Sequence, residues 1–400
     1  MMISLVLGAF WLTSQNYVQS VMASFPEHLL HFSIIQAQAQ TQAKNTDPEQ
    51  ARVDNQIQVQ VQNQDLAQPQ TEQIQISKIG MHILSIHELD TTDSLLGKMH
   101  LPANIDSLEE NTKNEKKQKS QETWQYVTVP FTLKDLENLV EWQTFFDRSK
   151  EKKIIPIVRL VTRFENNAWQ QPSRKEVVDQ LTALSKLNWP TDKKHIIIFN
   201  EVNHAKEWGG EISPQNYADH LSFASQWARA EDTNFVILPA AMDLAAPNGN
   251  QTMEAFTYLE AMLAHNPEVF NYIDIWNSHS YPNPGFSAPA TTTGQNSLRG
   301  FEYELNFMKE KTGKDLPVMI TETGWELNSK TRSRLTANYN HAVSEIWSES
   351  RILAVTPFIL QGDPGPFSDF GFIDASGKET PHFYALQGAI QDSMYYSQEK

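Results

Sequence analysis

The chain contains no cysteine, and that one absence removes disulfides, thiolate nucleophiles and cysteine-ligated zinc together. Positive charge is also scarce, because the formal charge is -16 at pH 7. A surface of that sign repels phosphate backbones and argues against a nucleic-acid partner. The basic run from Lys113 to Lys119 is the local exception and reads as a solvated loop. No HExxH pair, glycine-rich nucleotide loop or GxSxG element is present, so metalloprotease, nucleotide and serine-hydrolase chemistry have no motif to rest on. His82 and His87 in particular lack the spacing of a helical metal pair. The sequence therefore calls for no cofactor and no metal.

A convincing transmembrane span is missing too. Met2 to Leu12 has the length of a signal-peptide apolar region, yet no Lys or Arg precedes it, and Thr13, Ser14, Gln15 and Asn16 interrupt it. Residues 1–35 are expected to be a hydrophobic signal or anchor segment, which implies an exported, extracellular or membrane-anchored protein. Residues 36–75 are dominated by glutamine, as in QAQAQTQ and QIQVQVQNQ. Such a stretch holds too little apolar mass to offset chain entropy and is expected to be a disordered stalk. Its alternation of Gln with Ile and Val leaves an added strand as the other reading. Ser107 to Glu122, rich in Lys, Glu, Asn and Gln, is expected to be a long surface loop.

From residue 76 to residue 400 the pattern changes to an alternation of short apolar runs and amphipathic stretches. Strands are expected at Lys78–Leu84, Trp124–Val129, Ile154–Leu160, His195–Asn200, Asn234–Pro239, Ile273–Ser278, Pro317–Thr321 and Leu353–Leu360. These runs are continuous rather than alternating, as in parallel strands covered on both faces. Helical segments fill the gaps, among them LKDLENLVEWQTFFDRSKE, NYADHLSFASQWARAE and RGFEYELNFMKEKTG. Ser213-Pro214 and Asn250 are candidate helix starts, and Gly313 a helix stop. Eight strands alternating with helices fit an α/β fold of the (β/α)8 TIM-barrel class; a doubly wound open sheet is the alternative.

In such a barrel the functional groups sit where strands end, because the loops that follow them form one shared cleft. The polar residues at those ends are Arg159, the Asn200-Glu201 pair, Asp243, the run Asn277 to Tyr281, Glu322, and Gln361 with Asp363. A carboxylate at the mouth of a buried strand is costly without a partner. Two of them, Glu201 in HIIIFNEVN and Glu322 in LPVMITETGW, point to a reaction that needs both.

The pair FNEVN and ITETGW, 121 positions apart, resembles the signature of clan A glycoside hydrolases, retaining enzymes on (β/α)8 barrels that include the cellulase-like and β-xylosidase-like families. The resemblance implies that Glu201 is the general acid/base and Glu322 the nucleophile. It further implies that Asn200 binds a sugar hydroxyl and that His279 and Tyr281 correspond to the family's His-x-Tyr, whose tyrosine bonds the nucleophile. Arg159 matches an arginine common near strand two or three of this clan. FGFIDASGKETPHFYAL is similar to the final loop and helix. Two departures stand out: Val202 takes the place of the usual proline after Asn-Glu, and no strand-eight tryptophan is evident, with Phe358 and Gln361 near that position.

In that chemistry one carboxylate attacks the anomeric carbon while the other protonates the leaving group. Glu322 is expected to be ionised, and Glu201 to be protonated by the repulsion of that charge. His204, in the loop after strand four, is a further candidate for binding substrate. Trp169, Trp208, Trp276, Tyr281, Trp325, Phe367 and Phe370 fall in or near the expected cleft loops, where flat rings can cover pyranose faces. Of these, Trp208 and Trp325 are the leading candidates for sugar contact. The expected partner is a β-linked oligo- or polysaccharide, cut by an endo-acting enzyme; the alternatives are a non-catalytic glycan-binding barrel or a transglycosidase that remodels envelope glycans. The sequence leaves the sugar and the oligomeric state open.

Overall fold

The computed structural model describes residues 75–101, 114, 123–363 and 365–398. The N-terminal hydrophobic segment, the glutamine-rich stretch up to residue 74 and, Asn114 apart, the Ser107–Glu122 insertion lie outside those residues. Eight parallel strands form one sheet: β1 (Ile76–His82), β2 (Trp124–Phe131), β3 (Ile154–Leu160), β4 (Lys194–Ile198), β5 (Phe235–Pro239), β6 (Trp276–Ser278), β7 (Val318–Ile320) and β8 (Ile352–Val355). The order is β5-β4-β3-β2-β1-β8-β7-β6, with Ile79 of β1 in register with Val355 of β8. Between β5 and β6 there is no regular ladder; the backbone bond from Asp274 N to Ile237 O, 3.0 Å, is supplemented by side chains. The Asp274 carboxylate accepts from Ile237 N at 2.7 Å, and Asn277 Nδ2 donates to Pro239 O at 3.1 Å. The result is a nearly closed (β/α)8 barrel.

The continuous apolar runs are explained by the two faces of each strand. Tyr126, Ile157, Ile197, Leu238, Met319 and Ala354 pack with other strand residues in one small cluster. Their neighbours Val127, Val158, Ile198, Ile237, Ile320 and Val355 pack with helix side chains such as Leu95, Trp142 and Leu181. Both faces are dry, so both must be apolar. Close approach of β1 and β2 also fixes Gly80, where a Cβ would lie 1.9 Å from the Tyr126 carbonyl oxygen.

Among the described residues eight α-helices cover the outer face: α1 (Leu89–Met99), α2 (Leu139–Glu151), α3 (Arg174–Lys186), α4 (Pro214–Glu231), α5 (Ala255–His265), α6 (Gly300–Thr312), α7 (Leu335–His341) and α8 (Pro381–Gln398). α3 shows why such a segment folds. Ser173 and Glu176 close a reciprocal capping box, and Val177, Gln180, Leu181 and Leu184 form the buried stripe. Gly313 ends α6 in the left-handed conformation, φ 73°. Several expectations need correction. α1 was not foreseen, since its polar start, Asp90 to Asp93, hides a short apolar stripe. The Ser213 side chain makes no capping bond, and α5 is capped by Glu254 rather than Asn250. The eighth strand stops at Val355 instead of running to Leu360, and the sixth starts at Trp276 rather than Ile273.

Buried side-chain bonds tie the strand ends together just below the cleft. Thr128 Oγ1 and Thr356 Oγ1 lie 2.8 Å apart, Thr356 Oγ1 donates to Thr321 O at 2.9 Å, and Thr321 Oγ1 donates to Asn277 Oδ1 at 2.6 Å. On the other side, the buried Tyr217 hydroxyl of α4 donates to Ile198 O at 3.0 Å and accepts from Ala240 N at 2.7 Å, linking the ends of β4 and β5. Replacing Tyr217 by Phe leaves a buried N–H and a buried carbonyl without this partner and is expected to lower stability by about 1–3 kcal/mol. Urea unfolding of the Tyr217→Phe variant checks this; a loss below about 0.5 kcal/mol, the range of a neutral surface substitution, would show that the hydroxyl is not holding the two strands.

Candidate active site

β4 ends at Ile198, and the chain then leaves the strand conformation, with φ 71° at Phe199 and φ 33° at Glu201. A regular strand sends consecutive side chains to opposite faces. The positive φ values on either side of Asn200 break that alternation, and Asn200 and Glu201 both line the same cleft. Backbone of this kind costs about 1–3 kcal/mol per residue and persists only where the surroundings enforce it. Here the Tyr217 bond to Ile198 and the bond from His204 N to Glu201 O, 2.9 Å, hold the segment. Val202, where proline is usual in the resembling family, is wholly buried in the core.

Glu322 follows β7 and is almost fully buried. Arg159, at the end of β3, places Nη1 2.5 Å from Glu322 Oε1 and also donates to Asn200 Oδ1 at 2.8 Å. The Tyr281 hydroxyl, beyond β6, donates to Glu322 Oε2 at 3.2 Å. Burial alone drives a carboxyl pKa upward, but the charges of His279 and Arg159 and the Arg159 hydrogen bond overcome it, so Glu322 stays well below the usual carboxylate range. His82, at the end of β1, lies 3.8 Å from Glu322 Oε1 through Nδ1. Its Nδ1–H is committed to Thr321 O at 3.0 Å, and burial lowers its pKa to about 4. His82 is thus neutral at ordinary pH and contributes shape and a hydrogen bond rather than charge.

His279 connects the two glutamates. Its Nδ1 lies 2.8 Å from Glu201 Oε1 and 3.7 Å from Glu322 Oε2. Burial pushes the imidazole down, yet the charge of Glu322 and the hydrogen bond and charge of Glu201 outweigh this, and the net shift is upward. One ligand-type atom from each of Glu201, His279 and Glu322 lies within 4.8 Å of the other two. A cation could be held by these three atoms, but the Arg159 guanidinium already supplies positive charge to Glu322, so the cluster reads as an acid–base site.

These groups sit in a cleft of about 440 Å³. Arg159, Asn200, Glu201, Tyr281 and Glu322 all line it, and His279 lies beneath. The two leading tryptophans do not serve as expected. Trp325 is wholly buried, donates its indole N–H to Ala288 O at 2.8 Å and packs against Tyr339. Trp208 borders the cleft, but its ring has no exposed surface and packs among Phe199, Tyr217 and His220. Trp276 is likewise core. Phenylalanine forms the apolar wall instead: Phe286, Phe358, Phe367 and Phe370 line the cleft with Tyr281, and Trp169 stands elsewhere on its lining. Phe358 occupies the region after β8 where the resembling family carries a tryptophan, while Gln361 and Asp363 do not line the cleft.

The cleft also holds a third glutamate that the sequence reading passed over. Glu207 accepts from Asn200 Nδ2 at 3.4 Å, and its pKa is raised by burial and by the negative charge of Glu201. It lies six residues beyond Glu201 in the loop after β4, so the strand-end rule extended along that loop would have found it. The same rule, applied to the first strand, would have nominated His82. Asp243 and His204 complete the polar lining and bond to each other at 2.8 Å.

Comparison with known proteins agrees with this geometry. A model described as "Glycosyl hydrolase catalytic core" matches residues 114–382. No curated protein matches the sequence. Among solved structures, the monomeric beta-xylosidase from Caulobacter crescentus is similar with a TM-score of 0.56 at 13% identity, covering 78% of this chain and 67% of that one. The GH39 enzyme from Xanthomonas axonopodis pv. citri gives 0.53 at 12%, covering 78% and 65%. The glucosidase from Croceicoccus marinus gives 0.53 at 9%, covering 75% and 63%. This chain therefore spans about two thirds of the length of these structures, and at such identities the likeness is one of fold. The stretch matched by the model contains seven of the eight barrel strands and both strand-end glutamates, and the chain belongs to the glycosyl hydrolase catalytic core family.

Proposed function

We propose that the protein hydrolyses β-glycosidic bonds of an oligo- or polysaccharide with retention of configuration, Glu322 acting as nucleophile and Glu201 as acid/base. The observation that carries this reading is the spacing of the two carboxylates, whose oxygens approach within 4.8 Å. Retaining sites hold their carboxyl groups roughly 5–5.5 Å apart, whereas inverting sites leave room for a water between them.

In the first step a Glu322 oxygen attacks the anomeric carbon, the bond to the leaving oxygen breaks, and Glu201 gives its proton to that oxygen. In the second, Glu201 takes a proton from water, the water oxygen attacks the anomeric carbon, and the ester to Glu322 breaks. Arg159 and Tyr281 keep Glu322 ionised and oriented before attack. Arg159 also fixes the amide of Asn200 so that Nδ2 points away from the guanidinium, with one hydrogen on Glu207 and the second left to donate to a sugar hydroxyl beside the reacting carbon. Four carboxyl groups line the cleft, Glu201, Glu207, Asp243 and Glu322, against the guanidinium of Arg159. That balance favours neutral saccharides over anionic ones. The phenylalanine wall, with Phe286 36% and Phe367 44% exposed, offers apolar surface to sugar faces, and an open cleft suits endo action. The hydrophobic residues 1–35 support export or tethering to the membrane.

Glu322→Gln is expected to lower kcat by about 10⁴-fold or more on any substrate. Glu201→Ala is expected to lose about 10²–10⁴-fold on sugars with poor leaving groups while sparing dinitrophenyl glycosides, and added azide should yield a β-glycosyl azide. Proton NMR of the first product formed by the wild type should show the β anomer; an initial α product would exclude the double displacement.

The acid limb of kcat/KM reports the ionisation of Glu322. A carboxyl with a depressed pKa is active above that pKa and loses activity only as the pH falls through it. Removing the Arg159 charge takes away one of the depressing influences, so Arg159→Gln should move the acid limb upward by about one unit or more. An unmoved limb would show that Arg159 does not hold the charge of Glu322.

A further inference from the structure

Two ionisable side chains on the β4 and β5 loops have no part in the steps above. His204 Nε2 and Asp243 Oδ2 are 2.8 Å apart, and both side chains keep nearly a third of their surface exposed, 30% and 28%, in the cleft lining. The pair is held rigidly, because Asp243 Oδ1 accepts from Ala245 N at 2.9 Å and His204 N bonds to Glu201 O. It is not needed as a latch between the loops. Asn203, wholly buried, already joins them by donating to Asp243 O at 2.9 Å and Met253 O at 3.0 Å and accepting from Asp243 N at 3.1 Å. Against those buried bonds, a part-exposed ion pair adds about 0.2–1 kcal/mol at most.

Both residues adjoin the proton donor rather than the nucleophile. His204 follows Glu201 in the same loop, and Asp243 bridges in parallel to His279, which holds Glu201. Neither bonds to Arg159, Asn200 or Tyr281. Burial lowers the His204 pKa, but the Asp243 hydrogen bond and the charges of Glu201, Asp243 and Glu207 raise it on balance. With Nε2 bonded to Asp243, His204 Nδ1 has no partner among the described residues.

We propose that His204 and Asp243 form a leaving-group subsite that takes a hydroxyl-bearing sugar as the departing unit, the carboxylate accepting from one hydroxyl and the imidazole donating to its neighbour. This rests on the reading of Glu201 as proton donor. An aryl or alkyl leaving group offers no such pair of hydroxyls, so the subsite selects saccharide over simple glycoside.

The test compares kcat/KM on cellotetraose, xylotetraose and mannotetraose with that on the 2,4-dinitrophenyl β-glycosides of glucose, xylose and mannose. His204→Ala is expected to lower the value on the tetrasaccharide that is cleaved by about 10–100-fold, and to leave the matching dinitrophenyl glycoside within about threefold. Asp243→Asn, which keeps shape but removes charge, should show a smaller split in the same direction and serves if His204→Ala fails to fold. Equal losses on both substrates, no loss on either, or a wild type that cleaves dinitrophenyl glycosides but no tetrasaccharide would overturn the subsite alone. A wild type inactive on all six would overturn the hydrolase reading, and the subsite with it.

Discussion

The negative charge buried at Glu322 sets the terms for the cleft around it. An ionised carboxylate taken out of water costs several kcal/mol unless partners replace its hydration. Those partners come from two other strand ends, Arg159 at the end of β3 and His279 and Tyr281 beyond β6, and meet Glu322 after β7. Only a closed arrangement of parallel strands brings residues so distant in sequence to one point with all their C-terminal ends on the same side. The threonine and asparagine bonds just below, from Thr128 through Thr356 and Thr321 to Asn277, fix how far those ends can spread. A carboxylate held this firmly gains from the low dielectric that would otherwise oppose its charge, because each fixed donor acts more strongly there than in water.

The end of β4 shows the opposite economy, in which local conformation is sacrificed to position. Phe199 and Glu201 adopt positive φ without being glycine, and the cost of that strain falls on packing elsewhere. Tyr217 from α4, the buried Val202 and the bonds of Asn203 to the β5 loop supply it. The same strain delivers two adjacent side chains, Asn200 and Glu201, to one cleft. A loop with relaxed geometry would deliver one of them.

The barrel and its two strand-end glutamates were legible because parallel strands buried on both faces leave unmistakable apolar runs, and because a carboxylate directly after such a run has no structural reason to be there. Helix α1 was not legible, since Asp90 and Asp93 dilute a stripe of Leu89, Leu95, Leu96 and Met99. Of the aromatic residues, Trp169, Tyr281, Phe367 and Phe370 do line the cleft, whereas the two leading tryptophans are packed away. Sequence position places Trp208 and Trp325 near the cleft but cannot say which way a ring turns, and both turn into the core, where a large apolar side chain gains most from burial. Phe286, Phe358 and Phe367 were left with the wall. Neither Glu207 nor His82 belongs to a motif; the strand-end rule reaches both positions, but their contacts with Asn200 and Thr321 exist only in three dimensions.

His279 shows how one site can serve both halves of the proposed double displacement. In the proposed scheme Glu322 carries the negative charge at the moment of attack and Glu201 the proton it gives to the leaving group. After attack, Glu322 is an uncharged ester and Glu201 is the carboxylate. The charge has moved from one side of His279 to the other, but its magnitude is unchanged, and Nδ1 lies within 3.7 Å of the first oxygen and 2.8 Å of the second. In that scheme the imidazole faces one neighbouring carboxylate before attack and the other after it. A site whose charges are already placed for both states lowers the barrier in both directions of the proton's travel, and this is where preorganisation acts most strongly.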